Sequence, residues 1–177
     1  GKDGGSVVPG GLVKEMTISL QAKRDGGDFG WVFYAAPDDT TPIFGWEKYL
    51  GVLDNNGTVT AQRFYNQGQR LPSAEEKAQA DRWHYLTIVY TENNIIVYEN
   101  GEKIAEADNN ASLSDIFGSD SIWYIGKANW IKGNGEKGEH FRGWIDNYKV
   151  VSRAWTAEEV KTEALKYVDK SILQAAV

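Results

Sequence analysis

Trp83-His84-Tyr85-Leu86-Thr87-Ile88-Val89-Tyr90 is the run on which the fold turns. It is rich in aromatic and β-branched residues, the composition of a pleated, half-buried strand. Glu92-Asn93-Asn94 then turns the chain into Ile95-Ile96-Val97-Tyr98, and Asn100-Gly101 turns it again into Lys103 to Ala107. Three short extended runs joined by tight turns predict an antiparallel meander.

The same pattern extends in both directions. Gly1 to Leu12 is a Gly-rich arm. Met16 to Ala22 alternates apolar and polar residues, the period of a half-buried strand. Asp25-Gly26-Gly27-Asp28 is a turn cluster, Phe29 to Ala35 a second strand, and Pro37 to Trp46 a loop. Tyr49 to Asp54 and Thr58 to Tyr65 are joined by Asn55-Asn56-Gly57, where Asn-Gly between β-rich runs signals a hairpin. Gln67 to Asp81 is polar, a long loop or a short helix.

Toward the C-terminus, Asp108 to Asp120 is a loop with one helical turn around Leu113 to Phe117. Ile122 to Gly126 is a strand, Asn129 to Glu139 a polar loop, and Phe141 to Val151 the last long strand. Thr156-Ala157-Glu158-Glu159 reads as a capping box, opening an amphipathic helix from Ala157 to Val168. About ten short strands with turns between them predict an all-β fold: a two-sheet antiparallel β-sandwich, or jelly roll, with a short C-terminal helix. The expected organisation is a single domain over 1–168, with 169–177 a tail or linker.

Composition narrows the function classes. The chain has 177 residues and a formal net charge of −6, opposite in sign to what phosphate backbones and anionic membranes attract. Nucleic acid and membrane surfaces are therefore not expected partners. No apolar stretch approaches the length of a bilayer span. The absence of cysteine removes disulfides, thiolate metal sites and cysteine nucleophiles. Secretion remains open, because a domain of this size is stable without covalent staples. No leader is recognisable at Gly1 to Gly11, as expected of an internal segment of a longer chain.

Three segments carry a resemblance. The first is Trp83 to Tyr90 followed by Ile96-Val97-Tyr98-Glu99-Asn100-Gly101-Glu102-Lys103. The second is Tyr124-Ile125-Gly126-Lys127-Ala128-Asn129-Trp130. The third is Phe141-Arg142-Gly143-Trp144-Ile145-Asp146-Asn147-Tyr148-Lys149-Val150, then Ser152-Arg153-Ala154-Trp155-Thr156-Ala157-Glu158-Glu159-Val160. Together they resemble the laminin-G-like jelly roll of the concanavalin A-like lectin/glucanase superfamily, with Trp155 where that family usually has Leu. The resemblance covers roughly Val7 to Tyr167. It implies a carbohydrate-binding module beside the catalytic domain of a large secreted, or cell-surface, bacterial glycoside hydrolase. A domain that packs on its catalytic neighbour without binding sugar is the alternative. The resemblance also implies a structural calcium ion, for which Asp3, Asp28, Asp38, Asp39 and Asp146 are candidates; no EF-hand-like spacing appears.

Catalysis is not expected. Glycoside hydrolysis needs two carboxylates across the scissile bond. Asp146 is alone on its strand, with Trp144 and Tyr148 at same-face spacing, and Glu75-Glu76 and Glu158-Glu159 read as solvated charge. His84 and His140 form no triad and no zincin pair. Sugar binding needs other parts: an aromatic face for the apolar side of a pyranose, and planar polar groups for its hydroxyls. Two loops supply them. Trp46 lies between Gly45 and charged residues with Tyr49 nearby, and Asn129-Trp130 opens a Gly-rich polar loop. Each indole either faces a ligand or plugs the end of the sandwich. Arg63 and Tyr65 share a strand face with Val59 and Ala61, and Arg142 projects beside the Trp130 loop. Trp46, Tyr49, Arg63, Tyr65, Asn129, Trp130 and Arg142 are the candidate ligand-binding residues. Trp31, Trp83, Trp123 and Trp144 lie within strands and are assigned mostly to the core.

Overall fold

The computed structural model describes residues 14–25, 29–37, 48–55, 58–65, 82–108, 113–115, 121–128 and 140–168. Among them nine strands form: β1 Met16–Arg24, β2 Phe29–Ala36, β3 Lys48–Asn55, β4 Thr58–Tyr65, β5 Trp83–Tyr90, β6 Asn94–Glu99, β7 Glu102–Asp108, β8 Ile122–Ile125 and β9 Gly143–Val151. A 3-10 turn at Leu113–Asp115 and one helix, α1 Ala157–Ala164, complete the described elements. The strands make a five-stranded sheet in the order β7-β6-β5-β1-β9 and a four-stranded sheet in the order β4-β3-β2-β8. All pairings within both sheets are antiparallel.

Alternation fixes which side chains meet between the sheets. Met16, Ile18, Leu20 and Ala22 of β1 face inward beside Leu86, Ile88 and Tyr90 of β5 and Ile95 and Val97 of β6. Val32, Phe33 and Ala35 of β2 and Val52 of β3 come from the opposing sheet into the same core. Ile18, Phe33 and Ile88 are fully inaccessible. Each large aliphatic side chain removed from water in this way contributes roughly 1.5–3 kcal/mol.

The Asn100-Gly101 turn closes a two-residue hairpin, with Glu99 opposite Glu102. Both turn residues have positive φ, 52° and 90°, which is the left-handed pair that such a turn demands. Asn100 also binds β5 twice: its N–H donates to the Tyr85 carbonyl, and its Oδ1 accepts from the Tyr85 N–H. Gly101 lies beneath α1, where an added Cβ would come 3.1 Å from Ala164 Cβ.

The helix packs on the outer face of the five-stranded sheet. Val160 inserts against Val89 and Tyr98, with Ile96, Ala154 and Trp155 around them. The approach is pinned at Thr17, whose hydroxyl donates to the Arg153 carbonyl at 2.8 Å and accepts from the Trp155 N–H at 2.9 Å. The capping box forms as its spacing predicts: the Glu159 N–H donates to Thr156 Oγ1, and Glu159 Oε2 accepts from the Thr156 N–H. Glu163, on the buried face of α1, takes Lys149 and Lys166 as partners.

These carboxylates make helix docking acid-sensitive. Hydrogen bonds from Arg153, and then from Thr156, hold Glu159 down to about 2, against an ordinary 4.5. Lys149, and then Lys166, hold Glu163 below the usual carboxylate range. A depressed folded-state value contributes stability above the unfolded value and loses it as pH falls through the folded one. Thermal unfolding followed by circular dichroism should therefore show the midpoint dropping as pH falls from about 4.5 toward 2. A Glu163→Gln variant should be less stable than the native chain at neutral pH and converge on it in acid. A gap of constant size across that range would contradict this account.

Candidate functional site

The helix covers only part of its sheet. Along β5 the outward residues are Val89, Thr87, Tyr85 and Trp83, and α1 and the turns after it reach as far as Tyr85, on which Tyr167 stacks with ring centroids 5.0 Å apart. One step beyond, the face is open. Lys23 of β1 registers opposite Trp83 of β5 on one side and opposite Trp144 of β9 on the other. Directly opposed residues of antiparallel strands project from the same face. Three neighbouring strands therefore present one lateral row, Trp83–Lys23–Trp144. Trp83 is 42 % exposed and Trp144 54 %. The Lys23 Nζ lies 5.2 Å from the centroid of the Trp144 ring, within cation–π range.

Local backbone chemistry sets this row. Gly143 opens β9 opposite Arg24 with φ of 150°, and a Cβ there would sit 2.1 Å from the Lys23 carbonyl oxygen. Only glycine lets β9 approach β1 this closely, and the approach brings Trp144 to Lys23. Further along, the β1–β9 register shifts between Ser19 and Gln21. Asn147 takes φ of 51° at this bulge. Its side-chain amide donates to Gln21 Oε1, and its N–H donates to Asp146 Oδ1 at 2.7 Å. Gln21, Asp146 and Asn147 thus form a polar second row beside the aromatic one.

The bulge also corrects a sequence expectation. Tyr148 does not share a face with Trp144 and Asp146. The extra residue turns it inward against Phe33, with ring centroids 5.9 Å apart. Burial, and the nearby Tyr90, push its hydroxyl well above the ordinary tyrosine range. A second correction concerns the strand tryptophans. Trp31 is buried and Trp123 packs on the core, as expected. Trp83 and Trp144 are not core residues. They lie on an outer face that α1 leaves uncovered, and alternation within a strand does not reveal how far a helix reaches over it.

The candidates named from the sequence fall in several places. Trp46, Asn129 and Trp130 lie outside the described residues. Tyr49 registers with Phe64, Arg63 with Leu50 and Tyr65 with Lys48, so these three share one end of the β3–β4 hairpin. Arg142 is elsewhere, just before β9, with its Nε 3.7 Å from Asp25 Oδ1 and its carbonyl accepting from the Asp25 N–H. That is the end of the five-stranded sheet where Trp144 begins the open row. Among the described residues no group of three or more His, Cys, Asp or Glu side chains is placed to hold a metal ion. Of the calcium candidates Asp146 is described, with one carboxylate oxygen on Asn147; Asp3, Asp28, Asp38 and Asp39 lie outside the described residues.

The profile of the concanavalin A-like lectin/glucanases superfamily matches residues 2–161. The chain belongs to this superfamily. Solved structures of the same architecture include the IT-sialidase CBM40 of Ruminococcus gnavus bound to α2,3-sialyllactose, at TM-score 0.67 and 17% identity over 86% of this chain and 83% of that one. The SAP-like pentraxin of Limulus polyphemus matches at TM-score 0.63 and 18% identity, over 86% of this chain and 70% of that one. Domain 4 of AbnA, a GH43 extracellular arabinanase from Geobacillus stearothermophilus solved with arabinotriose, matches at 0.61 and 16%, over 85% and 66%. A search of curated proteins finds no match. At these identities the neighbours establish the lectin/glucanase fold, and the chemistry of the face rests on this chain's own residues.

For this lectin-like domain the open row has a direct optical signature. Trp83→Ala and Trp144→Ala should each remove a tryptophan that acrylamide or iodide quenches readily, and each should shift thermal stability little, as is usual for exposed side chains. Trp31→Ala should leave quenching nearly unchanged and destabilise the fold by about 3–5 kcal/mol, the usual cost of truncating a buried aromatic. Equal quenching loss in all three variants would contradict the placement.

Proposed function

We propose that this domain is a non-catalytic carbohydrate-binding module that holds a secreted bacterial glycoside hydrolase on its glycan substrate. The observation that carries the reading is the Trp83–Lys23–Trp144 row, with two exposed indoles and a half-buried cation between them in one line across three strands. An indole face offers rigid apolar area at low conformational cost, which suits stacking on the apolar side of a pyranose. Lys23, Gln21 and Asn147 supply donors and acceptors for hydroxyls beside it. The exposed indoles lie side by side across the sheet, an arrangement suited to one side of an extended polysaccharide. Membership of a lectin superfamily, and neighbours solved with bound saccharides, support the same class. Calcium enters the proposal as a structural ion only. Trp46 and Trp130 remain in it as further candidate sugar-binding aromatics.

A glycan array probed with the isolated domain, with and without calcium, tests the proposal. Trp83→Ala and Trp144→Ala variants are run beside Trp46→Ala and Trp130→Ala. The native domain should bind a defined glycan class, and loss of Trp83 or Trp144 should weaken that binding at least about tenfold in a folded protein, the scale of an interface hot spot. Binding lost only with Trp46 or Trp130 would move the site to those tryptophans. No binding in any condition would favour the other reading, in which the exposed tryptophans pack on a neighbouring catalytic domain.

A further inference from the structure

Resting on that reading, we propose that the Asp146–Asn147 bulge determines the specificity of the open half, selecting a neutral glycan by accepting hydrogen bonds from two adjacent hydroxyls. The first observation is the backbone. Asn147 is a non-glycine residue in the middle of β9 with φ of 51°. Regular alternation would send its side chain inward, behind that of Asp146. The bulge instead leaves both residues exposed, as bulges do where a strand re-aims a side chain beside a site. Asp146 registers opposite Gln21, and the Asn147 amide donates to Gln21 Oε1. Three planar polar groups thus meet on the outer face of the sheet.

The second observation is what these groups leave unused. One Asp146 oxygen accepts from the Asn147 N–H at 2.7 Å, and among the described residues the other binds nothing. Asn147 commits its amide donor to Gln21 and keeps its Oδ1 as an acceptor. The nearest cations are engaged: the Lys23 ammonium lies over the Trp144 ring, and Arg142 faces Asp25. This corner therefore offers mainly acceptors around a carboxylate, on a chain of net charge −6. A hydroxyl that donates to a carboxylate makes a bond about twice as strong as one to a neutral acceptor. A carboxylate or sulfate on the ligand would meet like charge there and be disfavoured. The third observation is a platform within reach. Trp83 is 42 % exposed, and among the described residues it stacks on no ring and lies under no cation. Asp146 is two strands across and two residues along from it, about 12 Å, which roughly three linked pyranose rings span. A glycan resting on Trp83 crosses β1 to reach the bulge, with Trp144 along its flank and Lys23 left in place over that ring.

Calorimetric titration of the full chain tests this. The probes are cello-, xylo- and mannohexaose, their O-methylated forms, hexagalacturonate and its carboxyl-reduced form. The tightest neutral saccharide should bind about tenfold or more above hexagalacturonate, the scale of one hydrogen bond to a charged group. Carboxyl reduction of hexagalacturonate should close that gap, and O-methylation of the neutral saccharide should remove its binding. Asp146→Asn keeps an acceptor for the Asn147 N–H; it should weaken neutral binding about tenfold and narrow the gap to hexagalacturonate. Asn147→Gly takes up the same left-handed backbone without strain and should weaken neutral binding severalfold. Both variants should unfold close to the native midpoint, which separates ligand reading from a structural role. Asp146→Asn and Asn147→Gly silent, with Trp83→Ala abolishing binding, would overturn this inference and leave carbohydrate binding intact. Hexagalacturonate binding as tightly as its carboxyl-reduced form would overturn it as well. No saccharide binding by the native chain, in this set or on the glycan array, would overturn both.

Discussion

Burial of β1 on both faces is the constraint from which the rest of the domain follows. The strand lies between β5 and β9, so its backbone is paired on both sides. Its inward residues, Met16, Ile18, Leu20 and Ala22, fill the sandwich core. Its outward residues Thr17 and Ser19 are just as inaccessible, because the C-terminal helix lies over them. Side chains alternate with a period of two, so a one-residue slip would drive Thr17, Ser19, Gln21 and Lys23 into the core. Two buried faces make such a slip doubly unfavourable. The register of the whole five-stranded sheet, and with it the meeting of Trp83, Lys23 and Trp144, is held by this strand.

The helix then decides where the face ends. It is fixed at one end by Thr17 and the Thr156 capping box, and along its length by Val160, Ala164 and Glu163. Beyond it Tyr167 stacks on Tyr85, whose hydroxyl burial pushes up to about 12. This stack is the border of the covered region. The next outward residue of β5 is Trp83, and it faces solvent. A short helix on a long sheet thus divides one surface into a sealed structural half and an open half able to meet a ligand. Gly143 and the Asn147 bulge tune the open half: the first draws Trp144 to Lys23, and the second sets Gln21 and Asn147 beside them.

Much of this was legible in the chain itself. Alternation in Met16 to Ala22 and the composition of Trp83 to Tyr90 marked strands with a buried face, and both form as read. Asn100-Gly101 marked a turn that needs two left-handed residues, and Thr156 with Glu159 marked the helix start. These are short-range signals, because each depends on residues a few positions apart. The open row is not short-range. Lys23, Trp83 and Trp144 are brought together by strand order and register, which no local pattern encodes. Their exposure depends on where a helix far along the chain stops. The bulge at Asn147 was equally hidden, since an asparagine in a strand does not announce a left-handed φ. The hints available were the basic residues close to both tryptophans, Arg82 beside Trp83 and Arg142 near Trp144, an unusual setting for core indoles.

The central claim is that the ligand meets this protein at the open half of the helix-bearing sheet. Two-dimensional nitrogen–proton spectra resolve the indole Nε1–H of each tryptophan separately. During titration with the tightest-binding saccharide, the Trp83 and Trp144 signals should move together and saturate at one concentration, while those of Trp31 and Trp123 hold still. Movement confined to the other tryptophans, with Trp83 and Trp144 unchanged at saturation, would contradict the account.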